Sequence, residues 1–127
     1  MILLDTHAWL WYATESAKLS QAALQVIQQT EKLAVLSVSC WEIAMLVEKK
    51  RIGLNRDVDE WITLALQQPK ITLLPLDPKA AVLAAQLPDF HGDPIDRFLV
   101  AISLTYKIPL VTKDGLIQNW GQIETIW

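Results

Sequence analysis

Residues 33–50 read LAVLSVSCWEIAMLVEKK. The first part, LAVLSVS (33–39), is a short run of Leu, Val and Ala, the composition of a strand covered on both faces. From Ser39 the period changes. Ile43, Leu46 and Val47 share one face of a helix over residues 39–50, and Lys49 and Lys50 stand at its C-terminal end, where cations suit the macrodipole. Gly53 then breaks the helix. A strand covered on both faces that runs straight into an amphipathic helix is half of a βαβ unit. Such a unit calls for a parallel sheet with helices packed on it.

The same alternation extends outward. MILLD (1–5) is a short buried strand ending at Asp5. Leu19, Ala22, Ala23, Val26 and Ile27 give helical spacing over 18–30. Residues 57–68 form another helix, stopped by Pro69, and ITLLPL (71–76) is a third strand. Ala80, Leu83, Ala84 and Leu87 mark a helix over 78–87. A further helix runs over 94–106, IPLVT (108–112) is a fourth strand, 114–118 is a short helical turn, and IETIW (123–127) is a final edge strand. The fold class is α/β, a three-layer α/β/α sandwich with a mostly parallel central sheet. No repeat, low-complexity stretch or long linker interrupts residues 1–127, so one domain is expected.

The bulk composition excludes several functions. No apolar run approaches the ~20 residues a membrane-spanning helix needs. MILLDTHAW has no basic region ahead of its apolar residues and carries Asp5 early, so it does not read as a signal peptide. A soluble, cytoplasmic protein is expected. The single Cys40 rules out an internal disulfide and a multi-cysteine zinc site, and two histidines argue against a His-rich metal site. A net charge of −3 argues against nucleic-acid binding through a broad basic face. It leaves room for a small acidic site with a local basic rim. Six tryptophans are many for this length; some belong to the core, and exposed ones would suit a partner interface.

Ligands of open α/β sheets gather at the carboxyl ends of the strands. Asp5 closes the first strand, Glu42 lies in the first turn of the helix after the second, Asp96 in the first turn of a later helix, and Asp114 directly after the fourth strand. In a parallel sheet all four face one edge. Each also has a plainer reading. Ser39-x-x-Glu42 has the form of a capping box. Asp93-Pro94-Ile95-Asp96 reads as N-cap, N1, N2, N3. Asp114 would cap a short helix, and Asp5 would accept amides of the loop that follows. Helix capping, however, does not require the four to converge. Two carboxylates ~5 Å apart repel by roughly 3 kcal/mol at an effective dielectric near 20, so a cluster needs protonation or a cation. Oxygen ligands without Cys or His suit Mg²⁺ or Mn²⁺. The chemistry this implies is hydrolysis of a phosphodiester by a metal-activated water.

MILLDTHAWLW, SVSCWEIAMLVEKKRIGL, HGDPIDRFLVAISL and IPLVTKDGLI, in this order and spacing, closely resemble the PIN-domain ribonucleases of the VapC toxin family. The resemblance runs along nearly the whole chain. It implies an α/β/α domain, usually a homodimer, that cleaves RNA with Mg²⁺ or Mn²⁺. It also implies a cognate antitoxin that wraps the toxin and blocks its site. The family's acidic quartet maps onto Asp5, Glu42, Asp96 and Asp114, with no departure at these positions. On this reading Asp5 and Asp96 bind the metal directly, and Glu42 and Asp114 act through waters. Asp93 is the N-cap and a candidate for the water shell.

The remaining candidates are supporting groups. Thr112, two before Asp114, would hold a carboxylate or a water, or bond locally at its strand end. Thr6 follows Asp5 and is a second support. His7 reads as a packed, hydrogen-bonded histidine, with phosphate contact as the alternative. His91 would order the loop before the helix at 94. Arg97 and Lys113, each beside a proposed site acid, are the candidates for RNA phosphates, ahead of the run Lys49, Lys50 and Arg51. Of Trp9 and Trp11, one is expected in the core and the other at a groove for antitoxin or dimer partner. Receiver domains open with paired acids after the first strand, and haloacid-dehalogenase phosphatases require Asp-x-Asp. Asp5-Thr6-His7 satisfies neither. The non-enzymatic alternative is a catalytically silent PIN-like scaffold whose acids are only caps.

Overall fold

A computed structural model of the chain describes residues 1–127. Five strands form one sheet: β1 (Ile2–Leu4), β2 (Leu33–Leu36), β3 (Ile71–Leu74), β4 (Leu110–Val111) and β5 (Thr125–Ile126). Their order is β3-β2-β1-β4-β5, and every neighbouring pair is parallel. The 123–127 segment supplies an edge strand, as its position in the chain suggested.

The strand pleat divides the core in two. Ile2, Leu4, Leu33, Val35 and Val111 point to one face, and Leu3, Ala34, Leu36 and Leu110 to the other. This is the period of two expected of a strand, here apolar on both sides because both faces are covered. On the first face lie α1 (Thr6–Ala13), α2 (Gln21–Gln29), α3 (Ser37–Glu48) and α4 (Val58–Leu66), which contribute Trp9, Ile27, Ile43 and Trp61. On the second lie α5 (Pro78–Gln86), α6 (Pro94–Tyr106) and α7 (Gly115–Trp120), which contribute Ala80, Leu99, Ile102 and Ile117. The result is the three-layer α/β/α sandwich.

Two stretches differ from the sequence reading. Residues 6–13 form a helix that the pattern did not reveal, because THAWLWYA has no single apolar face; Thr6, Ala8, Trp9 and Leu10 are all buried. Its start is fixed by the Asp5 carboxylate, which accepts the Ala8 amide. The second correction concerns Ser39-x-x-Glu42. β2 ends at Leu36, and α3 begins at Ser37 with no side-chain cap. The Ser39 hydroxyl is buried and accepts a hydrogen bond from Thr6 Oγ1 at 2.9 Å. Ser39 is therefore an interhelical contact between α1 and α3, and Glu42 sits in the second turn. By contrast α6 spans the residues expected, with Asp93 as N-cap, Pro94 in the first helical position and the Asp96 amide donating to Asp93 Oδ1 at 2.9 Å.

No helix is long and apolar enough to cross a membrane.

Candidate active site

The sheet's order creates a place for a site. The chain leaves β1 toward β2 through helices on one face, and leaves β4 toward β5 through α7 on the other. The carboxyl ends of β1 and β4 thus flank a topological switch point, where the flanking loops part and leave a crevice. Asp5 follows β1, and Asp114 follows β4 after Thr112 and Lys113. Asp96 enters from the first turn of α6, and Glu42 from α3. These four line a single cleft of about 450 Å³ together with Asp93.

Three of these acids are helix caps. Asp5 Oδ1 accepts the Ala8 amide at 2.7 Å, Asp93 Oδ1 that of Asp96, and Asp114 Oδ1 that of Ile117 at 2.9 Å. The capping and site readings are therefore not rivals. Each cap engages one oxygen with a fixed amide, which orients the carboxylate within the cleft. Thr112 ties two of them together. Its hydroxyl accepts the Asp114 amide at 3.1 Å and stands near enough to the Asp5 carboxylate to favour its charged form. Thr112 is fully buried.

The electrostatics show how closely the acids act on one another. Burial pushes the Asp5 carboxyl above the usual carboxylate range; Thr112, the Ala8 amide and His7 oppose the shift, and Glu42 adds to it. Asp96 is pushed up to about 7, first by burial and then by Asp93, Asp114, Glu42 and Asp5. Four separate carboxylates raising a fifth is the signature of a charge cluster. No three acidic side chains converge to ion-binding distance; the carboxylates stand apart, as Coulomb repulsion dictates. The donor set fits a hard divalent cation: carboxylate and hydroxyl oxygens only, with the cleft's one histidine, His7, exposed at its rim. Such an ion would relieve the repulsion that raises Asp96.

Several other candidates fall differently. Arg97 is not available for RNA. Its guanidinium donates to the carbonyls of Ala84 at 2.8 Å, Ala85 at 3.3 Å, Leu87 and Phe90, and lies over the Phe90 ring. It is anchored to the end of α5 and the loop beyond, where unpaired helix carbonyls need donors. The Lys49-Lys50-Arg51 run is exposed past the end of α3 and does not line the cleft. Lys113 does line it, with its ammonium 5.9 Å from the centre of the Trp11 ring. His7 is exposed rather than packed inside, and rests on Trp11 with ring centroids 5.5 Å apart. His91 is likewise exposed. Trp9 is core and Trp11 borders a groove, as their spacing suggested. Trp11 in fact borders two: the acidic cleft and a larger, mainly apolar groove of about 620 Å³ along α1, α2 and α4.

Two contributors escaped the sequence reading. One is the Thr6–Ser39 bond, which joins residues 33 apart in sequence. The other is Gly92. A Cβ there would stand 2.5 Å from the Phe90 ring and 3.1 Å from Asp96 Cβ. The glycine in HGDP thus lets the loop pass close beside the start of α6. Its place directly before the Asp-Pro cap was the available signal.

Fold and site define a class: a parallel α/β/α domain with a carboxylate-lined cleft at the switch point of its sheet. The PIN domain family model matches residues 2–119. The chain is 37% identical over 129 residues to Ribonuclease VapC22 of Mycobacterium tuberculosis, across 99% of this chain and 98% of that protein. It therefore belongs to the PIN-domain family, in its VapC-type branch. Among solved structures it is similar to VapC20 of Mycobacterium tuberculosis, described as a sarcin-ricin loop cleaving toxin, with a TM-score of 0.70, 16% identity and 98% of each chain covered. It is also similar to a toxin–antitoxin complex from Klebsiella pneumoniae, with a TM-score of 0.67, 14% identity, and 97% of this chain and 92% of that one covered. At these identities the structural likeness speaks for the fold.

Proposed function

We propose that the chain is a Mg²⁺- or Mn²⁺-dependent endoribonuclease and the toxin of a toxin–antitoxin pair. The observation that carries this reading is the meeting of Asp5, Glu42, Asp96 and Asp114 in one cleft, with Asp96 raised to about 7 by burial first and then by the charges of its neighbours. The ribonuclease relative at 37% identity supports the choice of RNA. Asp5 and Asp96 are the residues that would hold the ion, and Glu42 and Asp114 face the same space and orient water and substrate. A bound divalent ion supplies water acidified toward neutral pH and neutralises charge building on the phosphate. The chain's own part is positioning. The Ala8 amide and Thr112 fix Asp5, Asp93 sets the helix start that presents Asp96, and Lys113 offers a cation to phosphate.

The partners on this reading are RNA, a cognate antitoxin and a second copy of the chain. The test is cleavage of total cellular RNA, with ends mapped, for the wild type and Asp96→Asn, in Mn²⁺ and in EDTA. Ends that appear only with wild type and metal are expected. Equal cleavage by Asp96→Asn, or full cleavage in EDTA, overturns the proposal.

A further inference from the structure

The cleft presents a difficulty for the substrate just proposed. Five carboxylates line it, against one ammonium, that of Lys113. Arg97, the other basic residue beside a site acid, is consumed by backbone carbonyls. Apart from what a bound ion would supply, a polyanion therefore finds little direct attraction in the cleft walls, and a grip on something other than phosphate would add to the hold on the strand.

A run of tilted aromatic contacts stands at the rim, with interplanar angles of 53° and 56°. The exposed His7 ring rests on the half-buried Trp11 at 5.5 Å between centroids, and Trp11 rests on Trp127 at 5.8 Å. His7 and Trp11 both line the acidic cleft, and His7 lies close enough to Asp5 to act on its charge. Nothing in the fold requires a ring at an exposed position 7. α1 is held by Asp5, by Thr6 and by buried Ala8, Trp9 and Leu10 without it. Aromatic faces that end in solvent beside a groove are what unpaired bases stack on, whatever their identity.

We infer that His7, backed by Trp11, is a stacking platform for one unpaired nucleobase next to the phosphate that is cut, with Lys113 beside it for that nucleotide's phosphate. The inference rests on the ribonuclease reading for its substrate class and adds how the strand is gripped. It makes single-stranded or looped RNA the preferred form, because a base inside a duplex has no free face to offer.

The experiment compares binding of a short labelled oligouridylate with that of the same ribose-phosphate chain lacking its bases, by fluorescence anisotropy at low salt in EDTA. The wild-type chain should prefer the base-bearing strand by roughly fivefold or more, the scale of one stacked base. His7→Ala and Trp11→Ala should remove that preference and leave abasic binding unchanged. His7→Phe should keep it, since a phenyl ring stacks but carries no charge. In cleavage assays His7→Ala should raise KM more than it lowers kcat. No wild-type preference for bases overturns the inference. So does His7→Phe behaving like His7→Ala, which would make the contact ionic. The two readings fail separately. A chain with base preference and no cleavage loses the nuclease assignment alone, and one that cleaves without base preference loses the platform alone.

Discussion

At Asp5 one carboxylate oxygen receives the Ala8 amide while the group as a whole lies buried against Thr112. Capping and catalysis therefore predict different outcomes for two substitutions. Asn caps as well as Asp, so Asp5→Asn should keep its Tm or gain slightly by removing a buried charge. RNA cleavage should still fall by at least the ~100-fold that loss of even an outer metal-site partner can cause. Asp5→Ala should lose activity and also about 1 kcal/mol from the missing cap. Thermal melts beside cleavage assays check both, and an active Asp5→Asn chain would count against the site. Asp96 gives a pH dependence. Its carboxyl ionises near 3.8 when unperturbed and near 7 in the folded chain. Between about pH 4 and 7 the folded chain holds a proton that the unfolded chain has released, so metal-free stability falls as pH rises through that window. Asp96→Asn should flatten this fall and raise Tm at pH 8 by about 4 °C, or ~1 kcal/mol for a chain of this size once solvent screening is allowed for. The four acids were legible because each stands at a strand end or on a helix beside one. Arg97 was not, because its partners are carbonyls of Ala84 through Phe90 that no local pattern ties to it.

Among the elements, α6 was readable to the residue and α3 was not. Asp93-Pro94 fixes a helix start through local chemistry, a side-chain acceptor followed by a ring that pre-sets φ. At α3 the start is set by where β2 stops pairing with β3 at Leu36 and Leu74, and Ser39 is claimed by Thr6 from another helix. Those are long-range facts, so a capping-box pattern misled. α1 was hidden for a related reason: a helix buried on most sides carries no amphipathic period. The α5–α6 junction gives two element-scale predictions. Gly92→Ala places a methyl against the buried Phe90 ring and beside Asp96. It should destabilise the chain by about 1–3 kcal/mol, the usual range for overpacking, and lower activity by shifting Asp96. Arg97→Lys keeps the charge but cannot reach four carbonyls from one fork. It should lower stability by about 1–3 kcal/mol through carbonyls left unpaired and leave the salt dependence of RNA binding unchanged. An Arg97→Lys chain with native Tm and a shallower salt slope would restore Arg97 as a phosphate contact.

For the whole molecule, the parallel α/β class followed from short strands covered on both faces alternating with helices. Strand order did not, because which strands become neighbours depends on contacts between distant residues. The order β3-β2-β1-β4-β5 matters functionally: it sets β1 beside β4, so that Asp5 and Asp114 flank the crevice toward which α3 and α6 aim Glu42 and Asp96. A cation held there would join both halves of the sheet and the helices on both faces, so its effect should be read in global stability. Mn²⁺ at ~100 times its dissociation constant should stabilise the folded chain by about 2.7 kcal/mol, if the unfolded chain does not bind it. The gain should be larger at pH 8 than at pH 5. At pH 5 the folded chain carries the Asp96 proton, which the ion must displace, so metal and proton compete. Asp96→Asn should show a smaller gain that depends less on pH over this range, because one competing proton is gone while Asp5, also raised by burial, remains. Melts at the two pH values, with and without Mn²⁺, for both chains separate this from non-specific binding. A surface-bound ion would raise both chains alike, and a chain unmoved by Mn²⁺ at pH 8 would show that the carboxylate cleft does not hold the ion.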